Sequence, residues 1–245
     1  MGYHGMSLDI TYGICVGSDP QYLSQTLDSI YSQYTSMNEP KGNFEILLAA
    51  NPDQWITTKK NWIASKAKYD TLVILHDYYQ LHPGWLVGLN AFDEETPQWK
   101  VCTNQILTLE GKRHTDWMMN PWHMAKAINQ RPELARILMA ANPKENGPEF
   151  INALPYDCED FTHLQYISGG YIICRKHILR DRPFNETFLP GSAEDIDWSE
   201  RVFFNSDNAP HFNRYSMAQT LKPGKWAVTQ IPEEGLQIMR EVDFD

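Results

Sequence analysis

The first 85 residues alternate between short β-favouring runs and helical stretches, and that alternation leaves little freedom of fold. Asp9 to Val16 (DITYGICV), Phe44 to Ala50 (FEILLAA) and Thr71 to Leu75 (TLVIL) read as buried strands. Between the first two, Leu23, Leu27, Ile30, Tyr31 and Tyr34 recur at helical spacing, entered through Asp19 as N-cap and Pro20 as first helical residue. Pro40, Gly42 and Asn43 break the chain, and a helix from Thr57 to Ala67 leads to the third strand. Strand, helix, strand, helix, strand makes two βαβ units and a parallel sheet. Open sheets of this kind bind ligands beyond the carboxyl ends of their strands. That edge should collect Gly17 to Asp19, Asn51 to Asp53 and His76 to Tyr78.

The third strand runs directly into HDYYQLHPGW, so Asp77 is a carboxylate just past the end of a buried strand. A hard cation carrying a diphosphate favours such a group, and a turn cap is the plain alternative.

Beyond Trp85 the pattern loosens. Trp85 to Phe92 reads as a helix and Trp99 to Ile106 as a fourth strand. Residues 107–165 hold a turn at Glu110-Gly111, a polar and aromatic loop, a helix from Pro132 to Ala141 and a loop from Asn142 to Asn152. An insertion of this kind is where substrate-specific surface is expected. Tyr166 to Cys174 (YISGGYIIC) reads as a strand carrying Gly169-Gly170, a pair that suggests close approach by a ligand or backbone. Ser192 is the expected N-cap of a helix through AEDIDWSERVFF, residues 206–225 read as mostly loop, and Trp226 to Ile231 as a last strand.

With 245 residues the chain can bury a large core. Its net charge is −10 and no run of Lys or Arg stands out, which argues against a duplex nucleic-acid partner. Cys15, Cys102, Cys158 and Cys174 form no CxxC pair and read as reduced, buried thiols, so a cytoplasmic protein is expected. No apolar run approaches transmembrane length, and the N-terminus lacks a basic-then-apolar signal pattern.

The ordered motifs resemble the inverting, GT-A fold glycosyltransferases of the large family 2 type. The resemblance runs over residues 9–204. It rests on Leu27, Ser29, Ile30 and Gln33; Glu45 and Ile46 with Asn51-Pro52-Asp53; Lys60-Asn61, Ala67 and Tyr69; and ILHDYYQLHPGW. It continues through Gly169-Gly170, Phe184 to Phe188, and Gly191, Glu194, Asp195, Asp197 and Arg201. The implied fold is a Rossmann-like three-layer α/β sandwich with a mostly parallel central sheet and a variable acceptor-side insertion. The implied organisation is a single domain over 1–245, with 1–104 as the nucleotide-binding half and 105–245 as the acceptor half containing the 107–165 insertion.

The resemblance further implies transfer of a sugar from a nucleoside diphosphate, UDP foremost, to a hydroxyl of a glycan or lipid-linked acceptor. That leaves room for peripheral membrane contact. Asp195 would be the general base and Glu194 would orient the acceptor or loop, with Asp197 as the competing base. Gly17, Ser18, Asp53, Lys60, Asp77, Gly169 and Gly170 would line the donor. Asp77 and His211 would hold a divalent metal, Mn or Mg.

One departure bears on that metal. The family writes D-x-D or H-D-D at the third strand's end, and this chain writes His76-Asp77-Tyr78. A phenol with a pKa of about 10 is a poor ligand for either ion, so metal dependence stays open. Tyr78 also keeps alive a degenerate domain that binds nucleotide or glycan without turnover. Asp157, Cys158, Glu159, Asp160, His163, His114 and His123 match no zinc spacing and read as an acidic loop with nearby histidines.

Overall fold

The computed structural model describes residues 7–18, 20–35, 42–141, 153–188, 192–204, 206–223 and 227–244. The expected cap at Asp19, the loop from Asn142 to Asn152 and the motif glycine Gly191 lie outside them.

The alternating first half forms as its pattern dictates. Strand β1 spans Ile10–Cys15, α1 Leu23–Thr35, β2 Phe44–Ala49, α2 Ile56–Lys66 and β3 Thr71–His76. After a short β4 (Tyr79–Leu81) come α3 (Trp85–Glu95) and β5 (Val101–Leu107). Then follow β6 (Met118–Met119), α4 (Pro121–Gln130), α5 (Glu133–Ala141), β7 (Gln165–Tyr166), β8 (Tyr171–Arg175) and α6 (Lys176–Asp181). The chain ends with α7 (Glu194–Phe203), β9 (His211–Thr220) and α8 (Glu233–Met239).

Seven strands join in the order β2-β1-β3-β8-β5-β9-β4. β1 pairs in parallel with both β2 and β3, and β5 in parallel with β9, whereas β8 and β4 run against their neighbours. Five of the seven strands therefore point the same way, as expected for a mostly parallel sheet. Because β1 lies between β2 and β3, strand order reverses there, and the crevice of a doubly wound sheet opens at such a reversal.

Strand pleating sorts side chains between two helical layers. Ile10, Tyr12, Ile14, Val73, Leu75 and Ile173 pack with Ile30 of α1 and Leu86, Leu89 and Phe92 of α3. Leu72, Ile74, Ile172 and Cys174 pack on the other face with Ile63 of α2, Ile178 of α6, and Trp198 and Val202 of α7. A third core gathers Trp117, Met119, Met124, Leu134 and Leu138 with Ile231, Leu236 and Met239. The described residues of 107–165 thus pack about an apolar centre of their own, closed by Ile231 and α8.

Four expectations change. Gly169-Gly170 sits in a turn between β7 and β8 rather than inside one strand. The stretch read as loop after residue 206 contains the ten-residue β9. The expected last strand is reduced, among the described residues, to an isolated bridge between Ala153 and Gln230. The cap of α7 is Ala193, in the left-handed conformation at φ 55°, not Ser192.

Candidate functional site

Motif residues far apart in the chain meet one another around the end of β3. Gln33 Nε2 donates to the His82 carbonyl at 3.1 Å, and its Oε1 accepts from the Leu86 amide at 3.3 Å. Ser29 Oγ accepts from the Leu81 amide at 3.1 Å. Helix α1 therefore clamps the LHPGW turn that follows Asp77. Asn61 bonds both the amide and the carbonyl of Phe184 at 2.9 Å and Glu186 at 2.8 Å, tying α2 to the loop before α7.

Asp77 stands at the end of β3, next to the loop that leaves β1. Its Oδ2 accepts from the Gly17 amide at 2.8 Å, and its backbone carbonyl accepts from Thr26 Oγ1 at 3.0 Å. Burial raises the Asp77 carboxyl above the ordinary range, opposed by the Gly17 N–H and by the charges of Lys59 and Lys222. Ser18 is exposed on the same loop. Asp53 is exposed beyond β2, in a turn held by its amide donating to Asn51 Oδ1 at 3.0 Å.

Asp195 lies in the first turn of α7. Its Oδ2 accepts from the Gly169 amide at 2.9 Å and its Oδ1 from the Ile196 amide at 3.0 Å. Burial raises this carboxyl, Lys60 and the two amides pull it down, and the neighbouring charge of Glu194 raises it again. The His76 amide donates to the Gly170 carbonyl at 2.9 Å. Two hydrogen bonds through the glycine turn thus connect the residue before Asp77 to Asp195. The carboxylates, far apart along the chain, end on one edge of the sheet.

The glycine turn is tight. A Cβ on Gly169 would stand 2.6 Å from Lys60 Nζ, 3.1 Å from Glu194 Oε1 and 3.2 Å from Asp195 Cβ, and one on Gly170 would stand 3.0 Å from the Tyr79 ring. The absent side chains let Asp195 and Tyr79 approach the turn backbone. Ala193, directly before Glu194-Asp195, is the one described non-glycine residue with positive φ. Such strain persists where the surroundings hold it and clusters at functional sites.

Two expected ligand contacts change. Lys60 is fully buried; its ammonium pairs with Glu194 at 3.3 Å and sits 4.3 Å from the centre of the Phe184 ring. Its ammonium thus lies at the glycine turn, held against Glu194. His211 does not join Asp77. It pairs with Cys102 at the start of β9, the opposite end of that strand from Leu221, whose amide donates to the Tyr78 carbonyl. A cavity of about 890 Å³ opens beside His211, between Phe92, Tyr156, Glu159 and Arg214, and none of Gly17, Asp77, Gly169 or Asp195 lines it. Among the described residues, no three His, Cys, Asp or Glu side chains converge as metal ligands would.

The remaining candidates resolve into structure. Asp197 is paired with Arg201 at 2.9 Å, and Trp198 is core, stacked on Phe184 with centroids 5.1 Å apart. His123 bonds Glu200 at 2.8 Å, and Asp160 bonds Arg240 at 2.8 Å. Lys59 and Lys222 went unread in the sequence. Lys59 donates to the Val16 carbonyl at 2.6 Å, behind the Gly17 loop. The position of Lys222 depends on β9, whose strand character is weak in the sequence.

No protein-family model matches the sequence, and no curated protein matches it. Solved structures do. The chain is similar to S. aureus TarS over 97% of its own length and 41% of that chain, at 14% identity and a TM-score of 0.53. TarS 1-349 in complex with UDP-GlcNAc matches over 97% of this chain and 68% of that one, at 14% identity and a TM-score of 0.51. TarS 1-349 in complex with UDP gives 97%, 67%, 13% and 0.51. The shared architecture is an α/β, GT-A-like fold. Among the described residues no helix is long and apolar enough to cross a membrane.

Proposed function

We propose that the chain is an inverting glycosyltransferase that moves a sugar from a nucleoside diphosphate, UDP foremost, to a hydroxyl of a glycan or lipid-linked acceptor. The observation that carries this reading is the convergence of Asp77 and Asp195 on the crevice edge, joined through Gly169-Gly170. The fold shared with a protein crystallised with UDP-GlcNAc and with UDP supports the donor class.

In this reading the β1 and β2 loops, with Gly17, Ser18 and Asp53, face the nucleotide, and Asp77 stands beside the ribose and diphosphate. The glycine turn lets the sugar lie against backbone. Asp195 takes the acceptor proton as the acceptor oxygen bonds the anomeric carbon. The bond from that carbon to the diphosphate breaks, and its electron pair leaves with the diphosphate oxygen. Glu194, held by Lys60, orients the acceptor. Residues 1–104 form the donor half and 105–245 the acceptor half, with the separately cored 107–165 segment shaping acceptor choice.

The test is UDP release from UDP-GlcNAc and other UDP-sugars, alongside calorimetric binding of UDP. Binding with release is expected. Binding without release from any donor or acceptor would favour a binding module, for which Tyr78 at the metal-ligand position is the supporting feature.

A further inference from the structure

We propose that this crevice takes its nucleoside diphosphate without a divalent metal, with Lys222 supplying the positive charge, an inference that rests on the donor reading above and adds the group that meets the diphosphate. The side chains at the end of β3 do not suit a hard cation. Mg²⁺ and Mn²⁺ need several oxygen ligands, carboxylates foremost. Asp77 Oδ2 already accepts from the Gly17 amide, and the next side chain is Tyr78. Its phenol oxygen is bonded to His76 Nδ1 at 2.7 Å. The other expected ligand, His211, lies at the opposite end of β9 from Leu221, which meets Tyr78.

The backbone brings an ammonium group to the same place. β4 and β9 pair antiparallel with Tyr79 opposite Thr220. The ladder continues one step, because the Leu221 amide donates to the Tyr78 carbonyl at 2.7 Å. Continued one further step, that register would bring Lys222, in the bend after β9, opposite Asp77. Lys222 Nζ lies 5.6 Å from the centre of the ring of Tyr78, the residue next to Asp77. Lys222 and Pro223 form the bend and turn that end β9 beside Tyr78. Lys59 and Lys60 are buried and committed to the Val16 carbonyl and to Glu194, whereas Lys222 is exposed at the crevice mouth. An ammonium held over the phenol that replaces a metal ligand can neutralise the diphosphate both on binding and as it leaves.

The test is isothermal titration of UDP and of UMP into wild type, Lys222→Met and Lys222→Arg, each with EDTA and with Mn²⁺. Wild type is expected to bind UDP equally in both media. Lys222→Met should weaken UDP about tenfold or more, the usual scale for a lost charged hydrogen bond, and weaken UMP far less. Lys222→Arg should restore most of the loss. Lys222 is exposed, so unchanged thermal midpoints are expected to show that all three proteins are folded. UDP binding that requires Mn²⁺ and ignores Lys222→Met would overturn the inference and leave the donor reading standing. Failure of wild type to bind UDP in either medium would overturn both.

Discussion

Asp195 is pulled in two directions, and the balance is measurable. Burial and Glu194 raise its carboxyl, while Lys60 and the Gly169 and Ile196 amides lower it, with burial the largest influence. A general base works deprotonated, so the acid limb of kcat/KM should fall at a pH above the ordinary Asp value of about 3.9. Glu194→Gln removes a like charge and frees the Lys60 ammonium towards Asp195, so it should move that limb to lower pH. A limb that stays put or rises would contradict the assignment. The same raised carboxyl has a stability consequence of fixed sign. Its contribution is fully present below the unfolded-state pKa and is lost as pH rises through the higher folded-state value. At this scale the sequence was informative about position, as at Asp77 just past the end of β3 and Asp195 in the first turn of α7. It was not where burial decides the role. Lys60 has its ammonium enclosed against Glu194 and Phe184, a placement that a single helix lysine does not announce.

At the scale of elements, the motif residues away from the chemistry act as fasteners. Asn61 joins α2 to the loop before α7 with three hydrogen bonds, two of them to the Phe184 backbone. Asn61→Ala leaves those backbone groups partly unsatisfied and should cost about 1–3 kcal/mol, read from denaturant unfolding midpoints. An unchanged midpoint would mean the loop is held by other contacts. The first-half strands were legible because each is a short apolar run flanked by turn residues. β9 was not. His211 to Thr220 mixes polar and apolar residues, and its register against β5 shifts between Asn104 and Gln105, which spoils a two-residue period. Helix α4 carried a readable start that went unused: Asn120 caps it, accepting from the Trp122 amide at 2.9 Å, and Pro121 takes its first position.

At the scale of the molecule, the fold brings together residues that the chain keeps far apart. The reversal of strand order at β1 opens the crevice, and antiparallel β8 brings the glycine turn beside β3. Helix α7 then sets Asp195 against that turn. The sheet's first half and the order of motifs could be read from the sequence. The separate core of the 107–165 segment could not, because its closing residues Ile231, Leu236 and Met239 come from the distant C-terminal region. The measurement that bears most directly on the central claim is the turnover of UDP-sugar by Asp195→Asn, with UDP affinity measured on the same protein. The expected result is a loss of about 10²- to 10⁴-fold in turnover with UDP affinity retained, since a general base contributes on that scale and, in the proposed arrangement, acts on the acceptor rather than the nucleotide. Turnover equal to wild type in that variant, with UDP still bound, would contradict it.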